Sequence, residues 1–295
     1  MWPVFLRYLT RAALVCVLAA VSGCSDGARS ASETRPGPFV LSGGRGPATI
    51  WAVGDAGHLG HRERSVARLV TKARPDRFLY LGDVYPRGTA KDFEAYDRLF
   101  GRLASITAPT AGNHEWPQHL EGYDAYWQRR NGRRPPVHYS FKLAGWEIIS
   151  LNSQGDGEAA SEQMRWLRRK VARPGNCRLS FWHEPRYSAG TVHGDQPDAD
   201  PLWQSVQDKA AVVVNAHEHH MARMKPRDGI AEYISGAGGH ASPYPVRKSD
   251  PRLAFADTKH DGALRIRLSP GRAQLAFVAA GGTVLDSSTV RCHSG

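Results

Sequence analysis

Five short segments of this 295-residue chain carry side chains of the types that hold metal ions and move protons. They are Gly54-Asp55-Ala56-Gly57, Gly82-Asp83-Val84-Tyr85, Gly112-Asn113-His114-Glu115, His183-Glu184-Pro185-Arg186-Tyr187 and Ala216-His217-Glu218-His219. Carboxylate and amide oxygens mixed with imidazole nitrogens form a donor set that suits Fe, Mn or Zn better than a soft thiolate site would. Read singly, each segment is weak. Gly-Asp is common at turns, where Asp bonds its own backbone, and a lone His beside a strand is usually packed or hydrogen-bonded. His217 and His219 say more, because residues two apart in an extended segment share a face and both imidazoles can reach one ion.

The elements that must position these groups follow from the apolar pattern. Thr49 to Val53 reads as a strand, residues 61–73 as a helix, and Arg77 to Leu81 as a second strand. Residues 90–103 read as helix, and Ile106 to Thr110 lead into Gly112. Residues 138–143 and 146–151 read as adjacent strands joined at Gly145. Helix follows over 161–171, with Ser161 as a cap, then a strand at 179–182, helix over 200–210 and a strand at 212–214. Residues 229–290 read as β-rich and are expected to complete a second sheet. Each chemistry-bearing segment comes directly after an apolar strand. In α/β sheets the carboxyl ends of strands are where loops converge and ligands sit, so five such ends point to one place.

Taken together, in this order, the five segments resemble the calcineurin-like metallophosphoesterases, and within them the purple-acid-phosphatase-like branch. That family's pattern is Asp, Gly-Asp, Gly-Asn-His-Glu, a His, then Gly-His-x-His. Gly57 in Gly-Asp-x-Gly, the His-x-Pro-x-Tyr form at His183, and Arg223 six residues after His217 all look like this branch. The resemblance implies a four-layered α/β/β/α sandwich over residues 48–295. It also implies two metal ions (Fe with Fe, Zn or Mn) that activate water for in-line attack on a phosphate ester. Asp55 and His219 would bind the first ion, Asp83 both, and Asn113, His183 and His217 the second. Asp83 and His114 would be the catalytic residues, with His114 contacting phosphate or protonating the leaving oxygen. Glu115 would support them from behind. Asn113, His114 and His193 would bind substrate, although His193 reads equally well as loop surface.

Three positions depart from the pattern. Tyr85 stands two residues after Asp83 where the family has three, so either a shortened loop still brings it to the first metal or that ligand is lost. Loss would leave Asp55 and His219 there, helped by His58 or water. Ala216 replaces the usual Gly, and Met221-Ala222 replace the Tyr-Glu before the loop Arg.

The first residues belong to another class. Arg7 and Arg11 precede the ten-residue apolar run Ala12 to Val21, too short to span a bilayer and fitting the core of a signal peptide. Val21-Ser22-Gly23-Cys24 resembles the lipobox of bacterial lipoproteins, which implies cleavage after residue 23, acylation of Cys24 and an exported, membrane-anchored protein. Residues 24–47, rich in Ser, Gly, Pro and Arg, read as a flexible tether. Cys16 and Cys24 thus set aside, Cys177 and Cys292 remain, as one disulfide in an oxidising compartment or as two free thiols.

Composition bounds the alternatives. With 41% hydrophobic and 23% charged residues, neither a disordered chain nor a membrane bundle is expected. Removing residues 1–23 takes away two arginines and no acid, lowering the formal charge from +11 to +9. That excess fits anionic substrates or surfaces. The Arg129-Arg130 and Arg133-Arg134 pairs lack interleaved aromatics, so no specific nucleic acid is expected, nor any protein partner. A small phosphate ester is the expected substrate, most simply a monoester. A phosphodiesterase or nucleotidase shares the same ligands, and a surface lipoprotein that holds metal or phosphate without turnover is the non-enzymatic alternative.

Overall fold

Strands whose neighbouring residues are both apolar bury two faces, and the central strands here do so. In a computed structural model, which describes residues 37–293, the short apolar runs become strands and the amphipathic segments helices. The expected signal peptide (1–23), Cys24 and residues 24–36 of the expected tether lie outside the described residues.

The first sheet contains β1 (Ala48–Val53), β2 (Arg77–Tyr80), β3 (Thr107–Pro109), β11 (Gly262–Ser269), β12 (Arg272–Ala279) and β13 (Val284–Arg291). Their spatial order is β13-β12-β11-β1-β2-β3, with β1, β2 and β3 parallel and the rest antiparallel. The second contains β4 (Tyr139–Leu143), β5 (Trp146–Ser150), β6 (Arg178–Phe181), β7 (Val212–Asn215), β8 (Met221–Met224), β9 (Ala231–Ser235) and β10 (Leu253–Asp257). Its order is β10-β8-β9-β7-β6-β5-β4, with β5, β6, β7 and β9 parallel.

The sheets face each other through one core containing Trp51, Leu264 and Phe277 from the first and Leu179, Phe181, Val212, Val214 and Tyr233 from the second. The alternate residues Ile149, Trp182 and Val213 point the other way. There they pack with Leu167 of helix α4 (Gly157–Lys170) and Leu202, Trp203 and Val206 of α5 (Asp200–Val206). On the outer side of the first sheet lie α1 (His61–Ala73) and α2 (Ala90–Phe100). Phe100 of α2 stacks on Phe78, and Tyr96 meets Tyr80 edge-on. Two sheets flanked by helices are thus the architecture that the resemblance implies.

Three details differ from expectation. Residues 37–47 are not a free tether. Phe39 is buried against Trp127 and Tyr139, and the Arg77 guanidinium donates to the Pro38 and Phe39 carbonyls. Burying one Phe stabilises by about 2–3 kcal/mol, enough to hold a short turn in place. The β-rich end divides between the sheets, with β9 and β10 joining the second and β11–β13 extending the first, because Leu264 to Leu268 of β11 pair antiparallel with Ala48 to Ala52 of β1. Finally, α4 begins at Gly157 behind Asp156, and the Ser161 hydroxyl bonds back to the Gly157 carbonyl instead of capping.

Cys177, just before β6, and Cys292, just after β13, form a disulfide with 4.9 Å between Cα atoms, tying one sheet to the other.

Candidate metal centre

All five segments leave the carboxyl ends of parallel strands: Asp55 after β1, Asp83 after β2, Asn113 and His114 after β3, His183 after β6, His217 and His219 after β7. Because both sheets present these ends to one side, the loops meet. Asp55, Asp83 and His217 adopt left-handed backbone conformations, φ 59°, 61° and 68°. Such positions cost energy for non-glycine residues and persist where surrounding structure fixes them, often at functional sites. Gly112 is needed for the approach, since a Cβ there would lie 2.1 Å from Asp83 Oδ1.

Asp83 is at the middle. Its Oδ1 accepts the His114 backbone N–H at 3.0 Å. Oδ2 lies 3.2 Å from His183 Nε2, close enough for charge attraction but without hydrogen-bond alignment, so it is left buried and unpartnered. His183 Nε2 is also 3.1 Å from Asn113 Oδ1 and 3.2 Å from His217 Nδ1. The other ring nitrogen of His183, Nδ1, donates to the Leu81 carbonyl at 2.8 Å, which fixes the ring and aims Nε2 into the cluster. Donor atoms of Asp83, His183 and His217 all fall within 4.8 Å of one another.

Beside this group stand Asp55, Tyr85 and His219. Asp55 Oδ2 accepts the His217 N–H at 2.9 Å, while its Oδ1, 3.7 Å from His219 Nε2, has no hydrogen-bond partner. Tyr85, despite the shortened spacing, brings its hydroxyl to 2.8 Å from His219 Nε2. The tyrosine therefore reaches the cluster, whereas His58 turns instead toward His240 and Glu63.

The electrostatics are those of a site arranged around positive charge. Burial pushes the Asp55 carboxyl well up. Burial also opposes ionisation of Asp83, yet the adjacent His183 overrides it and holds that carboxylate below its usual range. Burial alone would lower His183, but the Asp83 charge raises it to about 10. His217 and His219 are driven down by burial, to about 2 and about 3, and present neutral imidazoles. Unpartnered buried oxygens on Asp55 and Asp83, an unpartnered His219 Nδ1 and neutral histidines together form a donor set that fits cations.

Glu115 explains how two of the loops keep their register. Its buried carboxylate accepts backbone N–H groups from Asp83 (3.0 Å), Val84 (2.5 Å) and Gly112 (2.8 Å), and burial pushes it up to about 7. At the solvent edge, His114 Nδ1 is 2.6 Å from the Pro86 carbonyl and Nε2 is 3.9 Å from Asp83 Oδ2. The His193 ring lies against His217, tilted by 34° with 4.1 Å between ring centres, so its loop belongs to the rim of the cluster. Arg223 lies apart, bidentate with Asp286 of β13.

Two rim residues, Tyr244 and His240, escaped sequence reasoning. Tyr244 stacks on His219 at 4.2 Å and His240 on Tyr85 at 3.5 Å. Both come from the loop after β9. A signal existed, since Ser235-Gly-Ala-Gly-Gly-His240 repeats the pattern of strand, glycine and histidine that marks the other loops.

Similarity to known proteins agrees with this geometry. Over 175 residues the chain is 28% identical to a probable purple acid phosphatase of Arabidopsis thaliana, covering 52% of this chain and 40% of that protein. Over 165 residues it is 27% identical to a probable cyclic nucleotide phosphodiesterase of Psychrobacter sp., covering 50% and 48%. The aligned part is thus less than half the length of either relative. Among solved structures, purple acid phosphatase PPD1 from yellow lupin seeds superposes with a TM-score of 0.65 at 16% identity, covering 85% of this chain and 55% of that one. GAP50, the anchor in the inner membrane complex of Plasmodium, superposes with a TM-score of 0.68 at 14% identity, covering 84% and 90%. The calcineurin-like phosphoesterase family model matches residues 48–221, the stretch that holds all five segments. The chain belongs to the calcineurin-like phosphoesterase family.

Proposed function

We propose that this protein is a metal-dependent hydrolase of phosphate esters, acting on monoesters through two ions. The observation that carries this reading is the convergence of Asp83, His183 and His217 with the unpartnered oxygens of Asp55 and Asp83. Asp55, His219 and Tyr85 would hold one ion, Asn113, His183 and His217 the other, and Asp83 would be shared. Bound metal supplies Lewis acidity to the phosphoryl oxygens and lowers the pKa of water that attacks phosphorus.

The chain's own residues do the remainder. His183 is oriented by the Leu81 carbonyl and Asp83 by the His114 amide, so neither donor needs to reorganise on binding. His114, whose Nδ1 is tied to the Pro86 carbonyl, keeps Nε2 free to hold a proton for the departing alkoxide. Asn113 and His193 face the same rim and would bind the phosphate.

The second reading, a phosphodiesterase with the same centre, draws support from the similarity to a probable cyclic nucleotide phosphodiesterase. Comparing turnover of p-nitrophenyl phosphate with bis-p-nitrophenyl phosphate separates the two. Faster hydrolysis of the monoester supports the first reading, faster diester hydrolysis the second, and no metal-dependent turnover of either removes both. The expected residence is an exported lipoprotein anchored through Cys24, tested by metabolic labelling with a fatty acid in wild type and Cys24→Ala.

A further inference from the structure

A second cluster of donors stands beside the first and is not used by it. His58, Glu63 and His240 offer ligand atoms that all lie within 4.8 Å of one another. His58 and His240 face each other Nδ1 to Nδ1 at 3.0 Å, with ring centres 4.9 Å apart. Glu63 lies in the first turn of α1 and is 2% exposed. An acid in that turn is commonly explained by the positive end of a helix, but two imidazoles meeting beside it are not.

The cluster is built from two stretches of backbone, residues 58–63 and the loop after β9, that the fold locks together. The loop after β9 crosses directly over α1 at Gly239, whose φ is 104° and where a Cβ would lie 2.7 Å from the Glu63 nitrogen. His240, the next residue, donates its backbone N–H to the Asp55 carbonyl at 3.3 Å, and its ring lies flat on Tyr85, 3.5 Å away and 7° from parallel. Two of the three donors are therefore held before any ligand arrives, and only His58 sits on an exposed turn. Arg62, the residue before Glu63, is paired with both carboxylate oxygens of Asp261 at 2.7 and 2.6 Å.

We propose that His58, Glu63 and His240 form an additional metal site that takes one borderline divalent ion such as Zn²⁺. Two imidazoles and one carboxylate are a donor set that zinc accepts, and three protein ligands leave a further position for water or an anion. The site stands independently of the function proposed above, although it adjoins it. The stacking of His240 on Tyr85 means that an ion here would brace the ring whose hydroxyl contacts His219.

The test is the number of zinc ions bound per full-length chain. Protein is stripped with chelator, reloaded with Zn²⁺, freed of excess by gel filtration and measured by inductively coupled plasma mass spectrometry. His58→Ala is the lead variant because its exposed position spares the core; Glu63→Gln is the second, with its metal-free melting temperature checking that it folds. Each variant is expected to hold one zinc fewer than wild type, and Asp83→Ala to keep this ion while losing zinc elsewhere. Equal zinc content in wild type and His58→Ala overturns the site. The two readings fail separately, since a loss in Asp83→Ala without one in His58→Ala removes only this site, and the converse pattern removes only the central one.

Discussion

His114 and His183 sit 31 and 100 residues from Asp83 in sequence, yet Asp83 fixes what each can do. His183, raised to about 10 by that carboxylate, carries a second proton at neutral pH when no cation is present. A cation taken up by Nε2 must displace it, so loading the protein at pH 7 should release about one proton per chain from this residue, and affinity should fall as pH drops. Proton release in weakly buffered solution with an indicator dye checks this; loading without acidification would contradict it. His114 is different, because it stands at the solvent edge with Nδ1 tied to the Pro86 carbonyl and Nε2 3.9 Å from Asp83 Oδ2. His114→Ala should lower kcat by about 10²- to 10⁴-fold on an alkyl phosphate while metal content stays unchanged. The loss should be much smaller on p-nitrophenyl phosphate, whose leaving group departs without a proton. An equal loss on both substrates would assign His114 to binding instead.

At the scale of elements, the loops are only as well placed as the strands and helices behind them. The turn between Asp83 and α2 is closed by a reciprocal cap, with the Thr89 hydroxyl accepting the Asp92 N–H and the Asp92 carboxylate accepting the Thr89 N–H. Thr89→Ala should cost about 1 kcal/mol in urea unfolding. Most strands that precede a ligand were legible in the sequence because their residues are continuously apolar, as in Val212 to Val214, and because each ends at a glycine, alanine or polar residue. Which sheet a strand joins was not legible. β11 reads like any alternating strand, and its pairing with β1 depends on a partner more than two hundred residues away. Phe39 was hidden for a similar reason: Pro36, Gly37 and Pro38 lead into it, and only the tertiary pocket of Trp127 and Tyr139 turns that segment from tether into structure. The Tyr85 spacing left two outcomes open that only loop geometry could separate.

The whole molecule is a pair of sheets that must keep their carboxyl ends aligned for any ligand set to exist. The Cys177–Cys292 bridge closes a separation of 115 residues between the sheets, and Cys292→Ser should lower stability by about 2–5 kcal/mol relative to the oxidised wild type, a difference that should disappear once the wild type is reduced. Glu232 of β9 sets a pH dependence of the opposite kind. Burial pushes its carboxyl up to about 8, so between the ordinary carboxylate range and that value the folded chain holds a proton that the unfolded chain has lost. Stability is therefore lost as pH rises through that window. The melting-temperature advantage of Glu232→Gln over wild type should widen from pH 5 to pH 8; a constant difference would contradict it. The family and the general position of the centre were readable because the five segments are local motifs, while of the rim only His240 carried a local signal, and Tyr244 matters only once β9 lies beside β7.

The most direct measurement is metal content and phosphomonoesterase turnover determined together on wild type and Asp83→Ala. A metal-dependent wild-type activity, with the variant losing both the central ions and at least about 10³-fold in kcat, is the predicted result. Turnover that survives in Asp83→Ala, or a wild type whose metal content is indifferent to that substitution, would contradict a reaction carried by this cluster.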